Sequence, residues 1–268
     1  MKTGMLPVLL LALCTAIPAM AEQEPLQPMQ GVPPSRDSQV TMANYRDYPM
    51  NVWAFRNAGA PLHVVMIPRQ GEIRRLPGPL RPELGEQIYP RSDGGEQTFD
   101  ELFRSNYADG VLVMQGSRLL HEAYFNGFNG HSQHIWFSMT KSLVSTAFGL
   151  LVEQGKVDLA ASPAQYIPEL KGSGFERVTI QQVLDHATAI DFKENYTDPE
   201  SEFFLYYAPA LNMGWLPGAA DVQPTDAEIY GVQDFLAQFI KPDPALAPGE
   251  AFDYNSSNAD VLGWLIAR

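Results

Sequence analysis

The amino-acid sequence predicts an α/β fold in which a cluster of helices packs on an antiparallel sheet. Two apolar, β-prone runs at 110–114 and 119–125 flank a short turn that contains glycine, which is typical of a hairpin. After Ser138, apolar residues recur at helical spacing until Gly155, and glycine commonly follows the last turn of a helix. The same spacing recurs at 259–268. These observations place Ser138 at the junction between the sheet and the helices.

Residues 1–21 have the pattern of a cleavable secretory signal. A lysine at position 2 precedes a mainly apolar stretch, and Ala19-Met20-Ala21 has the small-x-small form of a cleavage site. The only cysteine of the chain, Cys14, lies inside this segment and follows a leucine rather than the small residue of a lipoprotein signal. We therefore expect a periplasmic or secreted protein with no disulfide and no stable membrane insertion after the signal is removed.

The overall composition is that of an acidic globular protein. The chain of 268 residues carries a formal net charge of −13 and is 45% hydrophobic. Such a charge repels the phosphate backbone of nucleic acids and anionic membrane surfaces, so we expect neither as a partner. Composition identifies no substrate and leaves the oligomeric state open.

The segment 22–95 is rich in proline, glycine and charged residues. We interpret it as an N-terminal extension that wraps on a catalytic domain of residues 96–268, rather than as a separate domain. Two β-prone runs, at 52–55 and 62–67, are short strand candidates, and three prolines make 77–82 a loop.

Caps, helical spacing and turn residues predict the other elements of the domain. In order, they are a short helix at 100–107, a turn and short helix at 163–170, a helix at 178–184 capped by Thr179, an irregular aromatic segment at 195–215, a helix at 232–240, and a turn with an extended piece at 248–256. Helices therefore dominate the part of the chain that follows Ser138.

Ser138 and Lys141 form the only Ser-x-x-Lys pattern in the chain and stand at a predicted strand-to-helix transition. Positions three apart share one face of a helix, so both side chains can enter the same cavity. Burial disfavours the charged form of a lysine, and the neutral amine is a base for the serine hydroxyl. The helix looks apolar and buried, and the pattern favours acyl transfer through an acyl-serine. The alternative is a serine near an N-cap and a lysine that reaches water.

Further segments resemble the serine β-lactamase and penicillin-recognising hydrolase superfamily with the class C β-lactamase fold. The resemblance is closest to the branch of 6-aminohexanoate-dimer hydrolases and related esterases. It runs from about residue 43 to the last residue and is carried by segments 137–142, 155–159, 166–170, 183–186, 196–199 and 252–256, which agree in order and spacing. It implies a β-lactamase/transpeptidase-like fold with Ser138 as the nucleophile and Lys141 as its base partner.

The resemblance also implies a role for Tyr254. The second motif of the family is Tyr-x-Asn or Tyr-x-Ser, so Tyr254 would pass the proton of Ser138 to the leaving group. Ser256 takes the third place of the motif, as in the dimer-hydrolase branch, and is a candidate substrate-binding residue. A second register, Ser256-Ser257-Asn258, reads as Ser-x-Asn but fits the neighbouring residues less well. The alternative for Tyr254 is an aromatic side chain packed at a loop-to-helix joint.

Other polar and aromatic residues are weaker candidates. Tyr196 and Trp215 are candidates for the walls of an acyl or amide pocket, although core packing explains each equally well. His131 and His134 have no cysteine or acidic cluster beside them, so we predict no metal and no cofactor. His186 is interpreted as a hydrogen-bonded structural histidine.

The chain departs from the family pattern after Tyr254. The third motif, Lys-Thr-Gly or a similar sequence, lies on a late strand and supplies one oxyanion donor, whereas the other is the backbone N–H of Ser138. Only 14 residues follow Tyr254, and they contain no such motif. The resemblance therefore implies that this sequence is truncated and lacks the C-terminal part of the sheet.

Three functions follow from the residues and the resemblance. The first is a serine hydrolase that cleaves a small-molecule amide or ester through an acyl-serine, as a 6-aminohexanoate-dimer hydrolase or a carboxylesterase does. The second is a class C β-lactamase or a D-Ala-D-Ala carboxypeptidase. The third is a non-catalytic envelope protein of the penicillin-binding type, or an inactive fragment.

Overall fold

The computed structural model describes residues 27–41, 43–60, 64–211 and 231–268. The predicted signal at 1–21 and the candidate pocket residue Trp215 lie outside these ranges, so both remain predictions. Within the ranges, none of the helices combines the length and the apolar character that a membrane crossing needs.

The described residues form short helices and paired strands. The α-helices are α1 (Met50–Ala54), α2 (Phe99–Ser105), α3 (Met139–Glu153), α4 (Pro163–Tyr166), α5 (Ile180–Leu184), α6 (Ala208–Ala210), α7 (Val232–Asp234) and α8 (Ser256–Ala267). Short 3-10 helices lie at Arg36–Ser38, Pro82–Leu84 and Pro168–Leu170, and π-helices at Phe203–Tyr207 and Phe235–Phe239. The strands are β1 (Ile88–Pro90), β2 (Glu96–Thr98), β3 (Gly110–Gln115), β4 (Arg118–Tyr124), β5 (Ile190–Asp191) and β6 (Lys241–Pro242).

The strands pair antiparallel, as β1 with β2, β3 with β4, and β5 with β6. The pair β3–β4 is the hairpin that the sequence predicts. Its turn contains Gly116 at a φ of 58°, a backbone conformation that glycine adopts without steric cost. The chain therefore has a mixed fold of helices and antiparallel strands, as expected, with the strands of the described residues in separate pairs.

The hydrophobic core lies among the helices rather than under the hairpin. Helix α8 packs against α3, α4 and α5 and supplies Val261, Leu262 and Leu265 to the core. The largest fully buried side chains around it belong to Phe148, Phe175, Phe192, Phe235, Ile167, Leu170, Ile180, Ile190, Leu236 and Ile240. Ser257 and Asn258 in the first turn of α8 are also buried, so the packing of α8 in this core fixes the position of its N-terminus.

Several helix boundaries follow from local chemistry that the sequence shows. Thr179 caps α5 through the N–H of Gln182, and the Gln182 side chain in turn accepts from the N–H of Thr179. Helix α3 ends at Glu153, and Gly155 follows with a φ of 66°. The short helices predicted at 163–170 and 232–240 are also present, the second as α7 and the π-helix that follows it.

The expected strands before the hairpin are wrong. Residues 52–55 lie in and just after α1, because Pro49 stands before its first turn and the Asn57 side chain donates to the Trp53 carbonyl at its end, 2.8 Å away. Of the run 62–67, only 64–67 is described, and it is exposed and unpaired in any strand. Both runs are β-prone in composition. Contacts at the helix ends account for α1, and none of the described elements covers residues 64–67 or pairs with them as a strand.

Two further expectations differ from the structure. No strand leads directly into Ser138, because residues 131–137 are irregular. Helix α3 is also less buried than its apolar composition suggests, because only Phe148 is fully enclosed while Leu143 and Leu150 are 58% and 56% exposed. Apolar residues occur around the whole circumference of α3, and α8 covers one face of it among the described elements.

The segment before residue 96 packs on the hairpin and on the approach to Ser138. The Arg56 side chain forms an ion pair with Asp109, and the Phe55 carbonyl accepts from the Ile135 N–H at 2.7 Å. The Pro77 carbonyl accepts from the N–H of Leu119 in β4 at 3.0 Å. These contacts bring the predicted N-terminal extension against the later residues, while its boundary with a catalytic domain stays a prediction.

Candidate active site

Ser138 occupies the N-cap position of α3. The residue before it, Phe137, has a φ of 42°, a left-handed conformation that costs a non-glycine residue on the order of 1–3 kcal/mol. The Phe137 ring packs edge-on against Phe55, with centroids 5.1 Å apart. This strained turn, held by packing, places the Ser138 hydroxyl and backbone N–H at the positive end of a 15-residue helix.

Two polar groups from other residues meet at the Ser138 hydroxyl. Lys141 Nζ lies 3.0 Å from Ser138 Oγ, one helical turn along α3. The Tyr254 hydroxyl lies 2.7 Å from the same oxygen, although the two residues are 116 positions apart in the chain. Lys141 Nζ is also 5.3 Å from the centroid of the Tyr254 ring. The Ser138 oxygen therefore has an amine and a phenol within proton-transfer distance.

The site is open on one side. Tyr254 is 41% exposed, Ser138 is exposed, and Lys141 is only partly buried. The strong desolvation that the sequence suggests for Lys141 is therefore not found, because α3 presents its first turn at the surface of the described residues. The Tyr254 ring is the aromatic group that lies over the Lys141 ammonium.

The segment that carries Tyr254 is fixed by the start of α8. Asn255 has an extended backbone and caps the helix by accepting from the N–H of Ser257 at 3.1 Å. The Asn255 side chain also donates to the carbonyl of Phe192 at 2.8 Å, and the residue is 1% exposed. These contacts hold Asn255 in the core. They therefore also position the neighbouring backbone of Tyr254, from which the Tyr254 side chain reaches Ser138.

Ser256 and Tyr196 are both near the site, and both bind a residue that the sequence analysis missed. The backbone N–H of Ser256 donates to Glu194, and its hydroxyl donates to Glu194 Oε2 at 3.1 Å. The Tyr196 hydroxyl donates to the same carboxylate oxygen. Burial raises the pKa of Tyr196 well above its usual range, and the Glu194 hydrogen bond adds to this. Glu194 thus joins Ser256 to Tyr196 beside the candidate nucleophile.

A cavity of about 480 Å³ lies beside these groups. Its walls contain Ser138, Lys141, Tyr196, Ser256 and Asp260, together with Tyr45, Arg46, Phe137, Thr140, Val144, Phe203, Tyr207, Leu211 and Ala259. A mainly aromatic and aliphatic lining with a few converging polar groups is typical of a small-molecule site. Tyr196 and Ser256 therefore lie on the pocket wall.

Asp260 is a second pocket residue that the sequence analysis missed. It lies one helical turn after Ser256 on α8 and accepts a hydrogen bond from the Tyr207 hydroxyl at 2.6 Å. Burial raises the pKa of Asp260 to about 6, and burial likewise raises the pKa of Tyr207 well above its usual range. Helical spacing from Ser256 is the signal that points to Asp260, whereas Glu194 has no local signal.

Only the first residue of the alternative Ser-x-Asn register, Ser256, lies at the cavity. Ser257 and Asn258 are both fully buried. The Asn258 side chain accepts from the Thr188 hydroxyl at 3.2 Å, inside the core. Of the two registers, the one that begins at Tyr254 brings its first and third residues to the Ser138 region.

The histidines before Ser138 have ordinary structural contacts. His134 lies 3.4 Å from Asp109 and packs edge-on against Phe55 and Phe128, while the His131 N–H donates to the Asn129 side chain at 2.9 Å. Within the described ranges, no group of three or more His, Cys, Asp or Glu residues is arranged to hold a metal ion.

Comparisons with known proteins identify the family and its relatives. Residues 97–268 match the family model described as Beta-lactamase. The chain is 33% identical over 230 residues to the 6-aminohexanoate-dimer hydrolase of Paenarthrobacter ureafaciens, a match that covers 85% of this chain and 53% of that protein. It is 30% identical over 81 residues to a β-lactamase of Providencia stuartii, which covers 30% of this chain and 20% of that protein.

A solved structure shows the same relationship. The putative 6-aminohexanoate-dimer hydrolase from Bacillus anthracis superposes with a TM-score of 0.65 at 27% identity, over 87% of this chain and 58% of that one. This chain therefore spans about half the length of the dimer hydrolases that it matches.

Proposed function

This chain belongs to the beta-lactamase family, and we propose that it is a serine hydrolase that cleaves an amide or ester bond through an acyl-serine intermediate. One observation carries the proposal: the amine of Lys141 and the phenol of Tyr254 both lie within 3.0 Å of the Ser138 hydroxyl oxygen. An unactivated serine is a weak nucleophile, and an adjacent base is the usual way to activate it.

The proposed reaction uses each of these groups in turn. Neutral Lys141 takes the proton of Ser138 as Oγ forms a bond to the substrate carbonyl carbon. Negative charge develops on the carbonyl oxygen, where the Ser138 N–H at the start of α3 is one donor. The bond to the leaving group then breaks, and Tyr254 gives that group a proton and recovers one from Lys141. Water attacks the acyl-serine by the reverse proton path, which releases the acid and restores Ser138.

We further propose a linear amide or ester as the substrate, of the kind that the relatives' name, 6-aminohexanoate-dimer hydrolase, describes. Two features support this choice over a β-lactam. Ser256 stands where β-lactamases more often carry asparagine, and the cavity walls are mainly aromatic and aliphatic, which suits a chain of methylene groups. The shared family alone does not separate these substrate classes.

Replacement of the nucleophile tests the proposal. Ser138→Ala should abolish covalent labelling by a fluorophosphonate probe and lower the hydrolysis of a p-nitrophenyl ester by about 10³-fold or more. Ser142→Ala is the matched control, because Ser142 lies one turn further along α3 and its hydroxyl makes no hydrogen bond to any residue that the structure describes, whereas its backbone carbonyl accepts two. Mass spectrometry of the labelled wild-type protein should find the adduct on the peptide that contains Ser138.

Two outcomes would contradict the proposal. Labelling that survives Ser138→Ala would reject the nucleophile. A chromogenic cephalosporin hydrolysed with a higher kcat/KM than linear amides and esters would reject the substrate class in favour of β-lactam hydrolysis.

A further inference from the structure

His186 covers the face of Tyr254, yet the proposed reaction gives it no role. The two rings are parallel to within 7°, with centroids 5.2 Å apart. Parallel rings at this separation are laterally offset, which is a favourable arrangement for aromatic pairs. The Phe252 ring lies next to the same imidazole, with centroids 5.9 Å apart.

His186 also binds the backbone on both sides of Tyr254. Its carbonyl accepts from the N–H of Asp253 at 2.8 Å, and its Nδ1 accepts from the N–H of Asn255 at 3.1 Å. The Asn258 amide nitrogen lies 3.3 Å from the same Nδ1. A backbone N–H can only donate, so Nδ1 carries no proton and the neutral ring holds its proton on Nε2.

Charges around His186 favour this neutral form. Burial lowers the pKa of His186, and the nearby positive charge of Lys141 lowers it further, whereas Glu194 and Asp253 act in the opposite direction. Protonation would place an N–H of His186 directly against the N–H of Asn255. It would also put a positive charge on the ring face of Tyr254, beside the amine that the proposed reaction uses in its neutral form. The hydrogen bond that holds Asn255 cannot survive this change.

We propose that His186 is a positioning residue for the hydrolase reaction, and that its neutral ring holds the Tyr254 hydroxyl against Ser138. Protonation of Nδ1 breaks the contact with Asn255 and moves Tyr254, so the leaving group loses its proton donor. The imidazole touches neither the substrate nor Ser138 and acts through Tyr254. This inference rests on the proposed function, since it assigns to Tyr254 the transfer of a proton to the leaving group.

The choice of leaving group separates this role from general support of the fold. A p-nitroanilide needs a proton from Tyr254 in order to leave, whereas p-nitrophenolate leaves from an ester of the same acyl group without one. His186→Asn keeps an acceptor close to the position of Nδ1 but has no ring and does not titrate. His186→Phe keeps the stacked ring but has no acceptor. His131→Asn is the matched control, because His131 is exposed in a loop before α3.

We expect both His186 variants to lower kcat/KM for the anilide by about 10- to 100-fold, as a misplaced catalytic group does, and to affect the ester much less. As the pH falls below 6.5, the value from which the pKa of His186 is lowered, kcat/KM of the wild type should fall more steeply for the anilide than for the ester. Protonation of the base Lys141 slows both reactions, whereas protonation of His186 slows only the anilide. In His186→Asn the two substrates should fall with the same steepness, and in His131→Asn the steeper fall for the anilide should remain.

Three outcomes would overturn the inference: a steeper acid fall for the anilide than for the ester that persists in His186→Asn, an equal loss for anilide and ester, or an anilide rate that the variants leave intact. Fluorophosphonate labelling of Ser138 shows whether each variant keeps a folded site. If neither variant folds, the wild-type profiles decide, because an acid limb of the same depth for ester and anilide excludes a leaving-group role. Hydrolysis that survives Ser138→Ala would instead reject the proposed function itself.

Discussion

Asp260 shows how a single pocket residue couples the site to stability. Its carboxyl is buried against Tyr207 on the cavity wall, and burial raises its pKa from 3.8 to about 6. A carboxyl whose pKa is higher in the folded state binds more protons when folded, so it weakens the fold as the pH rises from 3.8 to about 6. At neutral pH the Asp260 carboxylate is therefore charged, and its burial lowers the free energy of unfolding.

We predict that Asp260→Asn makes the protein more stable at pH 7, by on the order of 3 kcal/mol at most. The amide oxygen can still accept from Tyr207, and the cost of a buried charge is removed. Urea unfolding at pH 4 and pH 7 measures the effect, because below pH 4 both side chains are neutral and the difference should shrink. A variant that is equally less stable at both pH values would show that packing rather than charge governs this position.

At the residue scale, spacing in the sequence identifies Ser138 and Lys141, and the family resemblance adds Tyr254. These three residues do lie together, since Lys141 is one helical turn from Ser138 and Tyr254 reaches it from the start of α8. His186 and Glu194 could not be identified as neighbours of the site in the same way. Their contacts with residues about 60 to 70 positions later depend on how α8 packs, which no local pattern records.

At the element scale, α3 separates what a pattern predicts from what packing decides. Its apolar spacing and terminal glycine predict the helix correctly. The prediction that this helix is buried was wrong, because burial depends on which neighbouring elements cover each face. Phe148 faces the core with no exposed surface, whereas Leu143, just over one turn earlier, is 58% exposed.

The two positions should therefore respond differently to truncation. We predict that Phe148→Ala destabilises the protein by about 3–5 kcal/mol, since it empties a closely packed site. Leu143→Ala should change the free energy of unfolding by no more than about 0.5 kcal/mol, because alanine is also the better helix former. Denaturant unfolding measures both changes, from the shift of the midpoint when the dependence of the unfolding free energy on denaturant concentration is the same in each variant. A cost for Leu143→Ala close to that for Phe148→Ala would mean that this face of α3 is covered in solution.

The same contrast explains the short elements. Helices with a visible cap were predicted, as with Thr179 in α5, because the capping partners are only three residues apart. Helix α1 was mistaken for a strand, because its bulky apolar residues occur in helices as well as in strands. The contacts that end the helix involve Pro49 and Asn57, which lie outside the apolar run.

On the scale of the whole molecule, the cavity draws on separate parts of the chain. The segment before residue 96 contributes Tyr45 and Arg46 to its walls. The turn into α3 contributes Phe137 and Ser138, and the start of α8 contributes Asp260. Composition and periodicity predict the class of fold, but they do not specify which segments meet. The family resemblance was therefore the only part of the sequence analysis that could bring Tyr254 to Ser138.

The Arg56–Asp109 pair is a polar link between the segment before residue 96 and the rest of the molecule. Its side chains are only 18% and 13% exposed, and the guanidinium holds both carboxylate oxygens of Asp109 and the carbonyl of Asn126. The neighbouring Phe55 packs on Phe137, which precedes the candidate nucleophile. An ion pair in this setting contributes through geometry as much as through charge, because the fork of the guanidinium matches the carboxylate.

We predict that Arg56→Ala costs about 3 kcal/mol of unfolding free energy, because Asp109 is left as a partly buried carboxylate whose remaining ion-pair partner among the described residues is His134. Asp109→Ala should cost a similar amount. The double variant should cost clearly less than the sum, since neither charge is then left without its partner, and the double-mutant cycle measures this coupling. Costs that simply add would show that the two side chains stabilise the molecule independently. The segment before residue 96 would then be held to the Ser138 region by apolar packing at Phe55 rather than by this ion pair.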